Sequence, residues 1–206
     1  MFTEVPLVFQ LIILLFSVII HEVFHGLAAL YFGDDTAEKM GRLTLNPIKH
    51  LDPIGSVLLP LILVIMNSGF IFGWAKPVPY NPLKLKNPRR DTALLALSGP
   101  LANFSLALFF GLITRVIMIT SSFISLLPYL MFIVWINLIL GIFNLMPIPP
   151  LDGSKILFYL FPSRELEMIL SQYGIILLLF FIMFAGSIIS PLVMIFFSLF
   201  TGIPLT

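Results

Sequence analysis

His21, Glu22 and His25 are the side chains in this sequence best suited to do chemistry. They read His-Glu-x-x-His inside the apolar run Ser17-Val18-Ile19-Ile20-His21-Glu22-Val23-Phe24-His25-Gly26. On a helix, side chains four apart share a face, so imidazoles at 21 and 25 can hold one metal ion together. Glu22 sits about 100° further round the axis, where its carboxylate can take a proton from a water held at such an ion. Ionisable groups in membrane-spanning sequence are costly and mark function by default. The plainer alternative is a pair of histidines hydrogen-bonded inside a helix bundle.

The elements around the motif are those of a membrane. Of 206 residues, 59% are hydrophobic and only 10% charged, against about 25% charged in soluble domains. The composition predicts an all-α polytopic membrane protein forming one domain over 1–206. It predicts four to six transmembrane segments, with re-entrant or extended loops lining the site. There is no Cys, which excludes thiolate catalysis, disulfides and cysteine metal sites. Any metal must be held by His, Asp, Glu, water or backbone. The net charge of +1 comes with no basic patch, so nucleic acid is not expected as a partner. The first apolar run has no basic residue before it and no small-residue cleavage site, so it does not read as a removable signal peptide.

Pro6 to about Tyr31 is long enough to cross a bilayer of about 30 Å. The motif lies near its C-terminal end, which places the site off the midplane. Arg42-Leu43-Thr44-Leu45-Asn46-Pro47 alternates polar with apolar or small side chains and reads as an extended strand or hairpin. Residues 54–66 are apolar but short, with Pro60 inside. Gly69, Gly73, Pro77, Pro79 and Pro82 then forbid a continued helix, so Phe70 to Ala75 is expected to be non-helical. The segment 54–80 reads as re-entrant, dipping in and returning beside the site; a complete short span is the alternative. Lys84, Lys86, Arg89 and Arg90 mark the cytoplasmic side. Spans are expected over about 92–120, with a kink at Pro100, and over 126–145. A further span runs from Glu167 to about Ala185, is broken by Gly186, Ser187, Ser190 and Pro191, and is followed by a short last helix.

A catalytic zinc generally has three protein ligands and an open position. His50, the one other histidine, reads as a solvated loop residue. Most carboxylates sit in charged loops or at helix starts, where capping is ordinary. Asp152 differs: it follows Pro149-Pro150-Leu151 and precedes Gly153, on the same face as the motif. It reads as a ligand, as the N-cap of a helix over 154–161, or as both. Asn103 and Asn144 read either as hydrogen-bond donors to an oxyanion or substrate backbone, or as interhelical contacts.

The pairing of His21-Glu22-Val23-Phe24-His25-Gly26 with Asn144-Leu145-Met146-Pro147-Ile148-Pro149-Pro150-Leu151-Asp152-Gly153 closely resembles the site-2 protease family of intramembrane zinc metalloproteases. Gly41 to Pro47, Gly73 to Pro79 and Gly99-Pro100-Leu101-Ala102-Asn103 resemble its short bacterial members, without PDZ or CBS domains. The resemblance covers roughly residues 10–160. It implies one zinc ion per chain on His21, His25 and Asp152, with Glu22 as the catalytic residue and Asn144 near the scissile peptide. It implies cleavage of single-span membrane substrates near the cytoplasmic end of their transmembrane segment, in the cell membrane. Two rivals remain on the residues alone. A membrane metal-ion transporter would place ligands on several spans, but the later spans carry no His, Asp or Glu in their interiors. An inactive helix-binding scaffold would not need the intact His-Glu-His set.

Overall fold

The computed structural model describes residues 2, 4–66 and 76–204. Four helices in it are long and apolar enough to cross a membrane, and strands are absent among the described residues. Helix α1 covers Leu7–Tyr31 and α2 is the single turn Thr36–Lys39. A π-helical stretch, Pro53–Leu58, runs into α3, Leu59–Ile65. Then come α4 (Pro88–Thr120), α5 (Leu127–Asn144), α6 (Asp152–Leu160) and α7 (Arg164–Thr201).

The chain terms explain where these helices begin and end. Pro6 precedes α1, and Gly33 follows it at φ +106°, a conformation that favours glycine. Pro88 opens α4 at a position where its missing N–H costs nothing. Asp91, one turn in, accepts a hydrogen bond from the Asn87 N–H at 2.7 Å. Ser163 caps α7 through Leu166 N–H, with Glu165 and Glu167 in the first turn. At the far end of α7, the Arg115 guanidinium donates to the carbonyls of Leu199 and Phe200.

Side-chain pairs fix the directions. His25 meets Leu95 while Ser17 meets Asn103, so α1 and α4 are antiparallel. Asn103 meets Asn137, and Gly141 packs on Phe104 and Pro100, so α4 and α5 are antiparallel. Phe143–Phe181 and Trp135–Phe197 make α5 and α7 antiparallel. In lipid, helices gain little from burying apolar surface and associate through small residues that allow close approach. Helix α4 supplies these: Ala93, Ala96, Gly99, Ala102, Ala107 and Gly111 are buried. A Cβ at Gly111 would come within 2.8 Å of Phe200. The central cluster joins Ala107 of α4, Val134, Leu138 and Ile142 of α5, and Phe181, Ile189, Val193 and Phe197 of α7.

The loops after α1 and before α4 meet at one end of the bundle. Lys84 Nζ lies 2.7 Å from Asp35 Oδ1, and Asn81 N–H donates to Asp34 Oδ2 at 2.5 Å. Lys76 N–H donates to His50 O at 2.8 Å. Hydrogen bonds from Lys39 and Lys84 hold the Asp35 carboxyl down at about 2. A depressed carboxylate of this kind contributes above its ordinary value near 3.8 and loses that contribution only as pH falls through about 2. The chain that leaves this end at residue 51 therefore returns to it by residue 76. The expected non-helical course of Phe70 to Ala75 lies outside the described residues. Single cysteines at Glu38 and Asn87, both exposed, should react with an impermeant thiol reagent from one side of the membrane, and one at Ser122 from the other. Opposite labelling of 38 and 87 would show that 51–75 crosses.

Four expectations differ from the structure. Residues 42–47 form no strand; they have no partner strand, Arg42 instead reaches across to residues 76–77, and Asn46 caps a 3-10 turn over Pro47–Lys49. Helix α7 does not break at Gly186–Pro191 but continues for 38 residues with Pro191 inside. A proline removes one helical bond, whereas ending the helix in lipid would leave up to eight backbone groups unsatisfied. At 1.5 Å per residue α7 is about 57 Å long, so it tilts or projects beyond a core of about 30 Å. His50 is fully buried, its Nε2–H donating to Thr44 O at 2.8 Å. Asp152 is the first residue of α6 and does not cap it; Leu151 occupies the cap position.

Candidate metal centre

Helix α1 carries His21 and His25 on its buried face towards α4, as their four-residue spacing requires. Asp152 reaches them from the start of α6, 131 residues beyond His21. The three ligand atoms converge. His21 Nε2 lies 3.1 Å and His25 Nε2 3.0 Å from Asp152 Oδ2, and the two Nε2 atoms are 3.0 Å apart. All three side chains are buried. Gly99 of α4 floors the site. A Cβ there would lie 2.6 Å from both Nε2 atoms, so any larger residue displaces the imidazoles. Gly153 is required for a similar reason, since a Cβ on it would strike the Leu145 carbonyl.

The hydrogen bonds fix which ring nitrogens can face a metal ion. His25 Nδ1 faces the Leu95 carbonyl at 2.8 Å, which can only accept, so Nδ1 carries the proton. Asn103 Nδ2 donates to Ser17 O at 3.3 Å and to Asn137 Oδ1 at 2.9 Å. Its Oδ1 therefore faces His21 Nδ1 at 2.6 Å and accepts from it. Asn137 is fixed in turn, donating to Ser17 Oγ at 3.0 Å and to Ile133 O at 2.9 Å. With both Nδ1 atoms protonated, both Nε2 lone pairs point at an Asp152 oxygen. Three lone pairs within about 3 Å repel unless a cation, or a proton on one of the rings, sits among them. Donors about 2.0–2.1 Å from a tetrahedral ion stand about 3.3 Å apart, within a few tenths of an ångström of the observed spacing. Two imidazoles and a carboxylate suit zinc. The other Asp152 oxygen, Oδ1, accepts from Lys155 Nζ at 3.1 Å, so Oδ2 is the oxygen that could ligate an ion.

Glu22, half-buried on α1, is not one of the three converging groups. Its Oε2 accepts from the Val78 N–H at 2.8 Å, in an extended run over residues 76–81. Lys155 Nζ lies 5.7 Å over the Tyr80 ring, so this run also leans on α6. Asn103 is placed behind His21, where it would orient the ring if His21 ligates a metal. Asn144 ends α5, and its Nδ2 donates to Leu140 O at 2.9 Å within its own helix.

The sequence pointed to no role at the site for Ser17, Asn137, Lys155 or the Val78 N–H. Ser17 had a usable signal, four residues before His21 on the same helix face. Lys155, three residues after Asp152, had another. Asn137 and Val78 had none, because their contacts join segments distant in sequence.

Residues 9–181 match peptidase family M50. YwhC of Bacillus subtilis (strain 168), which its name describes as a candidate zinc metalloprotease, is 44% identical over 161 residues. These are 75% of this chain and 69% of YwhC. Rip2 of Mycolicibacterium smegmatis, named in the same way, is 33% identical over 141 residues, 68% of this chain and 52% of Rip2. Rip2 of Mycobacterium tuberculosis (strain H37Rv) is 31% identical over 139 residues, with the same shares. The chain thus spans about half the length of the Rip2 proteins. No solved structure matches it. A family match over most of the sequence, spanning the His-His-Asp cluster between apolar helices, makes this chain a member of peptidase family M50, the site-2 proteases, and a metalloprotease.

Proposed function

We propose that the chain is an intramembrane zinc endopeptidase that cuts a single-span membrane protein near the cytoplasmic end of its transmembrane segment. The observation that carries this reading is the convergence of His21 Nε2, His25 Nε2 and Asp152 Oδ2 inside a bundle of membrane-length helices. His21 lies ten residues before the end of α1, about 15 Å from it along the axis. That depth is within reach of a substrate helix yet close enough to one face for water to enter. Lys39, Lys49, Lys84, Lys86, Arg89 and Arg164 belong to the loops and helix ends at that face, which supports a cytoplasmic orientation.

His21, His25 and Asp152 would hold the zinc, with the Asn103–Asn137–Ser17 relay and the Leu95 carbonyl fixing the ring orientations. When bound, zinc polarises a peptide carbonyl and acidifies water. Glu22 accepts the proton of the attacking water and returns it to the leaving amine. A helical substrate must unwind first, since its carbonyls are already hydrogen-bonded. The extended run at 76–80 lies beside Glu22 and offers backbone against which an opened strand could pair.

Purified protein in liposomes, given a single-span substrate, should release a cytoplasmic fragment, and chelation should stop it. Zinc flux without cleavage would favour the transporter instead. The arrangement argues for the protease, because among the described residues the one cluster of three metal-binding groups is buried and lies towards one end of the bundle, with no second cluster to extend a path across it.

A further inference from the structure

The contact between Glu22 and the Val78 N–H raises the question of what holds Val78 in place. No helix or sheet ladder fixes residues 76–81; side chains from the preceding loop do. The Arg42 guanidinium donates from one nitrogen to Lys76 O at 2.8 Å and to Pro77 O at 3.2 Å. The His50 carbonyl accepts from Lys76 N–H, and Asp34 accepts from Asn81 N–H. Arg42 is itself 6% exposed, with its own N–H donated to Ala37 O at 2.9 Å. Its Nε is buried with no hydrogen-bond partner. A guanidinium is taken out of water at a cost, and here the return is a grip on two consecutive carbonyls.

The grip sets a register. Pro77 and Pro79 have no N–H, so Val78 carries the one backbone donor between Lys76 and Tyr80. A slip of one residue in either direction would bring a proline against Glu22. The buried Val78 side chain adds a second lock at Gly26 of α1, where a Cβ would lie 2.8 Å from Val78 Cγ1.

We propose that Arg42 is a positioning residue for Glu22, acting through residues 76–78. By holding the Val78 N–H in register, Arg42 ties one oxygen of the Glu22 carboxylate and leaves the other to face the reacting water. A glutamate on a helix otherwise samples several rotamers. The kinetic part of this proposal rests on the protease reading; the structural part does not.

Two kinds of measurement separate them. In purified full-length protein, Arg42→Met and Glu22→Ala should each raise deuterium uptake in the peptide containing Val78, with zinc content unchanged. This readout needs no activity. If neither variant changes uptake there, the clamp does not exist, whatever the protein does. In the cleavage assay, Arg42→Met should lower kcat about tenfold or more and leave KM within about twofold, and Arg42→Lys should restore part of the loss. Val78→Pro removes the donor while keeping extended backbone, and should lose a similar factor. Val78→Ala keeps the donor and should lose less. Because Arg42 and the Val78 N–H act through one bond, Arg42→Met combined with Val78→Pro should be no slower than the worse single variant. Wild-type kcat in Val78→Pro, or losses that multiply in the double variant, would overturn the proposal. If wild type itself cuts no substrate while uptake behaves as described, the protease reading fails and the clamp stands.

Discussion

Glu22→Gln should lower turnover by at least about 100-fold, the usual cost of removing a general base, while the protein keeps its zinc. The substitution is close to isosteric. An amide oxygen can still accept from the Val78 N–H, as Glu22 Oε2 does at 2.8 Å, so the side chain and the 76–81 run should stay where they are. What is lost is a group able to take a proton. Glu22 is also not among the converging ligand atoms, so metal analysis of the variant should match wild type. Substrate should then bind without being cut, and full-length substrate should co-purify with the variant. Turnover within a few-fold of wild type would remove Glu22 from the chemistry. Loss of zinc would make it a ligand.

Asp152→Asn is expected to strip the site of metal. Replacing outer-shell partners already costs about 10–100-fold in affinity, and a directly ligating carboxylate should cost at least as much. The substitution removes the carboxylate charge in contact with His21 Nε2 and His25 Nε2 and takes from the Lys155 ammonium its partner charge at 3.1 Å. It should spare α6, because Asp152 is not the cap of that helix and the Ser154 hydroxyl donates to the Leu151 carbonyl independently at 2.6 Å. Purified His21→Ala, His25→Ala and Asp152→Asn should therefore all be zinc-depleted, with helical content unchanged for Asp152→Asn. His50→Ala is the control. Its Nε2–H bonds Thr44 O in the loop and it is not among the converging groups, so the folded variant should keep wild-type zinc even if it melts earlier. Full zinc in Asp152→Asn together with depletion in His50→Ala would move the third ligand to the loop.

The sequence by itself determined what depends on neighbours along the chain. The four-residue spacing of His21 and His25 put both imidazoles on one helix face, and a run of apolar residues told α1, α4 and α5 apart from the loops. Both are local, because helix geometry repeats within a turn and lipid demands continuous apolar length. The sequence misjudged α7 because proline and glycine were read as local breakers. In lipid the cost of unpaired backbone outweighs one missing bond, and packing of Ile189, Val193 and Phe197 against α5 carries the helix through Pro191. It misjudged His50 for a related reason: burial of a loop residue is decided by what folds over it. Asp152 was already paired with the two histidines by its proline-rich setting and the family resemblance, and the tertiary structure supplied the contact itself; only that structure put Asn103 behind His21 with Asn137 and Ser17 fixing its amide, and made Gly99 the floor of the site. Only the tertiary structure set Arg42 on the carbonyls of residues 76–77, so that the Val78 N–H meets Glu22. Each of these joins segments tens of residues apart or more, through contacts of about 3 Å. Nothing in the spacing of residues along a chain encodes a contact of that kind, because it exists only once α1, α4, α5 and α6 have packed.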